Sequence, residues 1–156
     1  CATLLTAMNT GHDGSFGSLH ANTAQETVTR MINPPMNVPP IMLSGLDLII
    51  IQARLHVNGK TARKITEVAE IAGMEGDKPR LNIIWKYNAA TDQIEETGIP
   101  SKLREIICKA AGVTPAVFEK HVEQRQAILN DLVQRDIDDT QTVSTVIQNF
   151  YASRAH

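Results

Sequence analysis

The sequence predicts an α/β fold that closes with a small helical bundle, and three observations carry that prediction. Between Asp47 and Thr97 the apolar residues fall into short strand-like runs, Asn58-Gly59 separates two of them as a two-residue hairpin turn, and from Ser101 onward the period changes to 3.6. The division that follows is an α/β part with a β-hairpin over residues 1–98 and a helical subdomain over residues 99–156.

Taken in order, Thr3 to Met8 reads as a short helix with Leu4, Leu5 and Met8 on one face, ended at Gly11. Ser15 to His20 reads as a strand, in which alternation sends Phe16, Ser18 and His20 to one side and Ser15, Gly17 and Leu19 to the other. Thr23-Ala24-Gln25-Glu26 is a capping box that opens a helix through Ile32, with Val28, Met31 and Ile32 facing the core and Pro34-Pro35 ending it. The closely spaced prolines between Asn33 and Pro40 predict a rigid, extended connector.

Asp47 to Val57 is the strongest strand, and its solid apolar first half predicts burial on both faces. A return strand over Ala62 to Ile71, a loop over Gly73 to Asp77, and strands over Leu81 to Tyr87 and Gln93 to Thr97 complete the middle of the chain, with Trp85 as a packing residue. Glu67 and Glu70, close in sequence to Arg54, Arg63 and Lys64, read as a charged, solvated or subunit-facing hairpin edge and not as paired catalytic carboxylates. In the helical part Leu103, Ile106, Ile107 and Ala110 form a stripe that stops at Gly112. Thr114-Pro115 then starts a longer helix with Phe118, Val122, Leu129, Leu132 and Val133 inward. Asp138-Asp139 caps the last one, where Val143, Val146, Ile147, Phe150 and Tyr151 share a face.

Composition narrows the function classes. With 156 residues, 42% hydrophobic and 4% aromatic, the chain is long enough for one domain with an aliphatic core. A net charge of -2 supplies no basic field, so nucleic acid is not expected as a partner. Cys1 and Cys108 lack metal or redox spacing and read as free thiols of a reducing compartment. The longest apolar run, Leu46 to Ala53, contains Asp47 and Gln52 and is too short to span a membrane, and no signal peptide is expected from the residues given. The chain starts at Cys1 without an initiator Met and enters directly into an apolar helical pattern, which predicts a fragment or a processed product. An excised intein, whose junction needs a nucleophile such as Cys1, and an arbitrary boundary are both open as its origin.

The chemistry concentrates in Asn9 to Asn22, where three glycines, two histidines, a carboxylate and hydroxyls share one short stretch. Glycines there let the backbone turn or approach a ligand closely, and the polar residues between them can aim donors at an anion such as phosphate. Thr10-Gly11-His12-Asp13-Gly14 followed by Ser18-Leu19-His20-Ala21-Asn22 resembles the histidine box of the type II/type IV secretion ATPases, a pattern close to TGHxGxxxTxHAN, with Ser18 keeping the hydroxyl of the usual Thr. The resemblance extends to Asn33-Pro34-Pro35-Met36-Asn37-Val38-Pro39, to the hairpin over Asp47 to Ile71 with Arg63-Lys64-Ile65-Thr66-Glu67-Val68, and to Arg125 through Tyr151. The proline phrase is similar to that of the archaeal and tight-adherence branches.

This resemblance implies the C-terminal half of a RecA-like motor domain over residues 1–98 with a helical appendix over 99–156. The expected protein is a homohexamer that hydrolyses ATP with Mg²⁺ to power secretion or the assembly of pili or archaeal flagella. It would be cytoplasmic and peripheral to the membrane, partnered by the upstream half of the same ATPase and by a membrane platform protein. His20 is implied as the γ-phosphate sensor with Ser18 and His12 in support, and Gly11, Gly14 and Arg30 as nucleotide-binding residues. No GxxxxGK[ST] loop occurs, since Arg54 stands where Gly59-Lys60-Thr61 would need its first glycine. The Walker A and B regions are therefore expected upstream, and this part alone is not expected to bind ATP tightly or turn it over.

Two other classes stay open. His12-Asp13 resembles the dipeptide of the HD phosphohydrolases, so a metal site using His12, Asp13 and His20 is one alternative, although the flanking Gly11 and Gly14 and the following strand differ from the helical setting of those enzymes. A non-catalytic interaction module, docking through the helical tail, is the other. No GxSxG elbow is present, and His56, His121 and His156 read as exposed, unpartnered histidines.

Overall fold

Four antiparallel strands in the order β1-β2-β3-β4 form the central sheet, a meander in which each strand pairs with its sequence neighbour. The computed structural model describes residues 1–12, 14–57, 59–76 and 78–153, so the expectations placed on Asp13, Asn58, Asp77 and His156 lie outside the described residues. Helices α1 (Ala2–Asn9) and α2 (Ala24–Ile32) and a 3₁₀ helix (Pro40–Gly45) precede β1 (Leu48–Val57), β2 (Lys60–Glu75), β3 (Lys78–Asn88) and β4 (Gln93–Glu96). Helices α3 (Lys102–Ala111), α4 (Pro115–Gln134) and α5 (Thr140–Ala152) follow. The chain divides into two compact units, Cys1–Glu105 and Ile106–His156.

In the first unit, one core joins the two N-terminal helices and the 3₁₀ helix to a single face of the sheet. Leu5 of α1, Val28 and Met31 of α2, Val38, and Leu43 of the 3₁₀ helix pack with Ile49, Ile51, Ala69 and Ile71. The register explains the selection, because Ile51 lies opposite Glu67 and Ile49 opposite Ala69, so these side chains share a face. Ile50 points the other way and is 57% exposed, which corrects the expectation that the first half of β1 is buried on both faces. A run of apolar residues is ambiguous between one covered face and two, and at Ile50 the second face is open.

Three local expectations are also corrected. Ser15 to His20 forms no ladder and is not a strand, and Phe16 is 91% exposed, since an isolated strand-like run has no stability without a partner. The expected loop from Gly73 is strand as far as Glu75, which pairs with Lys78; the glycine marks a register shift between Ile71 and Gly73 without ending the ladder. The proline segment is not extended throughout: Met36 and Asn37 donate to the Asn33 carbonyl in a turn, Val38 returns to the Met31 carbonyl at 2.9 Å, and Pro40 starts the 3₁₀ helix. Prolines remove donors but fit turns and first helical positions as well as extended chain.

Capping follows the sequence closely. Thr114 Oγ1 accepts from Val117 N–H and Asp139 from Thr142 N–H, starting α4 and α5. The apolar stripes of the helical part are a different matter. Among the described residues of α3, α4 and α5, Cys108 and Leu132 alone are buried, whereas Ile106, Ile107, Val122, Leu129, Val133, Ile147 and Tyr151 are exposed, so most of the expected inward set does not face a core. A unit this small has too little interior for three full stripes. Helices α4 and α5 meet where the Arg125 guanidinium lies 5.6 Å from the Phe150 ring and 5.8 Å from Tyr151.

Candidate functional site

The glycine and histidine stretch begins where α1 ends. Thr10 closes the helix, its hydroxyl donating to the Thr6 carbonyl at 2.9 Å, and Gly11 turns the chain at φ +87° so that His12 N–H reaches back to the Ala7 carbonyl at 3.1 Å. A positive φ of that size is open to glycine and strained for other residues. The Ser15 hydroxyl donates to the His12 carbonyl at 2.8 Å, and Gly14 makes a second positive-φ turn at +76°.

At its far end the stretch runs directly into α2, and the junction is densely bonded. Thr23 Oγ1 accepts from Glu26 N–H at 3.0 Å, the forward half of the expected capping box. The return half is displaced by one residue, since the Glu26 carboxylate accepts from Asn22 N–H at 2.8 Å and from the Asn22 side-chain amide at 3.0 Å. The Asn22 N–H first, then the Arg30 guanidinium and the Asn22 side-chain amide, hold the Glu26 carboxyl below its ordinary value. A third acceptor arrives from the sheet: Glu67 Oε2 takes the N–H of Ala24, the first residue of α2, at 2.9 Å.

The sequence-derived candidates separate into different surroundings. His20 is exposed, its imidazole makes no hydrogen bond among the described residues, and it lines a recess with Asn22, Arg54 of β1, Glu67 of β2 and Lys86 and Tyr87 of β3. Ser18 lines another recess, between the stretch and β1, with Leu19, Thr27, Met31 and Ile50. His12, Gly11 and Gly14 lie at the end of α1 and line neither one. Arg30 pairs with Glu26 one turn earlier at 2.7 Å, so its guanidinium is engaged within its own helix. Asp13 is outside the described residues, and no group of three His, Cys, Asp or Glu side chains suited to a metal comes together among the described ones.

The residues that the sequence did not single out for this place are Arg54, Glu67 and Lys86. Lys86 lies directly across from Glu67 in the β2/β3 register, a neighbourhood created by strand pairing over 19 positions of chain. The expectation of a solvated edge fails most clearly for Glu70, which is 2% exposed. Its carboxylate accepts from the Ser101 hydroxyl, from Lys102 N–H at 2.7 Å and from Leu103 N–H at 3.3 Å, and so closes the N-terminus of α3. Tyr87 donates its hydroxyl to Asp92 at 2.6 Å, which raises the Tyr87 pKa; Asp92 is lowered by Lys64, 2.7 Å away, and then by Tyr87. His56 is exposed, with its ring 3.4 Å from the Thr61 hydroxyl.

Residues 1–147 match the protein family described as type II/IV secretion system protein. The chain belongs to that family. Among its relatives are three uncharacterized proteins of Methanocaldococcus jannaschii. One is 38% identical over 136 residues, covering 86% of this chain and 19% of the relative. The second is 29% identical over 155 residues, covering 96% and 28%, and the third 28% identical over 131 residues, covering 83% and 48%. This type II/IV secretion system protein therefore spans less than half the length of each of these relatives. Among its described residues no helix is long and apolar enough to cross a membrane.

Proposed function

We propose that this chain is the C-terminal part of a hexameric ATPase that powers secretion or the assembly of pili or archaeal flagella, and that its histidine box senses the γ-phosphate. Residues 1–98 are the C-terminal half of the RecA-like motor domain and residues 99–156 its helical appendix. The partners in this reading are other copies in a homohexamer, the upstream half of the motor with its Walker A and B regions, and a membrane platform protein, with the motor on the cytoplasmic face and no nucleic acid involved. The proline phrase from Asn33 to Pro39 favours the archaeal and tight-adherence branch.

The observation that carries the reading is His20: an exposed imidazole without a hydrogen-bond partner among the described residues, in a recess that also holds Arg54 and Lys86. Two cations and an available ring nitrogen fit a phosphate oxygen. Bound Mg·ATP supplies the phosphoryl group and the charge that develops on transfer. In that setting His20 donates one hydrogen bond toward a γ-phosphate oxygen, Ser18 and His12 shape the loop that carries it, Gly11 and Gly14 allow its turns, and Arg30 steadies the following helix through Glu26.

The test is His20→Ala and His20→Gln in the complete motor, with turnover measured per bound nucleotide and thermal stability measured alongside. Loss of one preorganised donor lowers the rate by roughly 10²–10³ with little change in nucleotide affinity. Unchanged turnover in both variants ends the reading, and a destabilised protein with normal specific activity makes His20 a structural residue.

A further inference from the structure

We infer that Glu67 is the positioning residue of the histidine box, tying the helix that follows His20 to the sheet; this rests on the reading of His20 just given. Four observations converge on Glu67. Its Oε2 accepts the Ala24 N–H at 2.9 Å across 43 positions of sequence. Ala24 itself is fully buried, so the N–H it presents is one of the first-turn donors that α2 cannot satisfy internally and that water does not reach easily. Glu67 is half-buried and shares a recess with His20. Ile51 and Lys86 flank it on the neighbouring strands, so its backbone is held in the middle of the sheet and not on a mobile edge.

The chain between His20 and Ala24 is short and already locked at one end. Asn22 is bonded to Glu26, and Thr23 caps Glu26 N–H, so Asn22, Thr23 and the first turn of α2 move together. What those local bonds do not set is the position of this rigid corner over the sheet. Within the polar contacts of the junction among the described residues, the Glu67 to Ala24 bond is the one that reaches β2. A carboxylate at a helix N-terminus is favoured both by the free N–H groups and by the helix dipole. Release of the bond lets the corner shift, and His20, four residues before Ala24, shifts with it. Glu67 acts through His20 and Ala24 and touches no reacting atom itself.

The experiment compares Glu67→Ala, Glu67→Gln and His20→Ala in the complete protein, and reads amide exchange of Ala24 and the imidazole resonances of His20 without nucleotide as well as turnover. Glutamine keeps a side-chain carbonyl that can accept from Ala24 N–H. The expected result for Glu67→Ala is at least tenfold faster exchange at Ala24, displaced His20 resonances, and a fall in kcat of about tenfold with KM within twofold, the signature of a misplaced group. Glu67→Gln restores most of each, and Glu67→Ala adds nothing to His20→Ala in the double variant. Unchanged Ala24 exchange in a folded Glu67→Ala variant overturns the inference, as does a Gln variant as slow as Ala or a double variant whose losses multiply. If His20→Ala keeps full turnover, the sensor reading falls, while the exchange and resonance measurements still decide whether Glu67 anchors the box.

Discussion

Removing the Glu70 carboxylate tests how the sheet holds the start of α3. The side chain is 2% exposed and receives three donors: the Ser101 hydroxyl, Lys102 N–H at 2.7 Å and Leu103 N–H at 3.3 Å. Ser101 in turn accepts from Arg104 N–H at 3.0 Å, so Glu70 and Ser101 together satisfy the first turn of the helix. In Glu70→Ala two backbone donors and one hydroxyl lose their partner. Loss of a helix cap costs about 1 kcal/mol, and each hydrogen bond to a charged group about 1.5–3 kcal/mol, with water entry recovering part of it. A net loss of about 2–4 kcal/mol is expected, a large share of the total for a domain of this size. Glu70→Gln keeps one acceptor but turns an NH₂ toward the donors, so about half of that loss is expected. The single tryptophan, Trp85, lines a recess with Ser101 and Arg104, and its fluorescence in a urea titration reports the junction directly. A shift of less than about 0.5 kcal/mol in Glu70→Ala, the range of an ordinary surface change, would refute the reasoning.

Gly45→Ala is expected to destabilise the first unit by about 1–3 kcal/mol, because an added Cβ meets the Asn9 side-chain amide at 2.5 Å where that amide bridges the Leu5 and Met42 carbonyls; thermal unfolding within about 1 °C of the parent rules this out. Acid is expected to weaken the start of α2. The folded Glu26 carboxyl is held low, first by Asn22 N–H and then by Arg30, so its contribution is complete above the ordinary glutamate pKa and is lost as the pH falls through the folded value. Stability measured against pH in Glu26→Gln then shows a shallower acid limb than the parent, and parallel limbs contradict the assignment.

Much of the local structure was legible in the residues themselves. Thr23, Thr114 and Asp139 cap the helices expected of them, and Gly11 turns the chain after α1. These are interactions within a few positions of chain, and side-chain chemistry specifies them without reference to anything distant. The stretch from Asn9 to Asn22 stands out in the same way, as an ordered pattern of glycines, histidines and hydroxyls, and the family match extends over residues 1–147.

Tertiary structure decided where those groups meet. Glu67 and Glu70 look alike in the sequence, two acids three positions apart among basic neighbours. Strand alternation sends them to opposite faces of β2, where one takes the first N–H of α2 and the other the first turn of α3. Helical period alone likewise could not say which stripes find a core, and Leu132 is buried while Val133 beside it is 79% exposed. The sequence by itself determined where α2, α4 and α5 begin and that the chain turns at Gly11, because those depend on near neighbours. Which face is covered and which carboxylate anchors which helix depend on partners more than 30 positions away, and only chain packing brings them together.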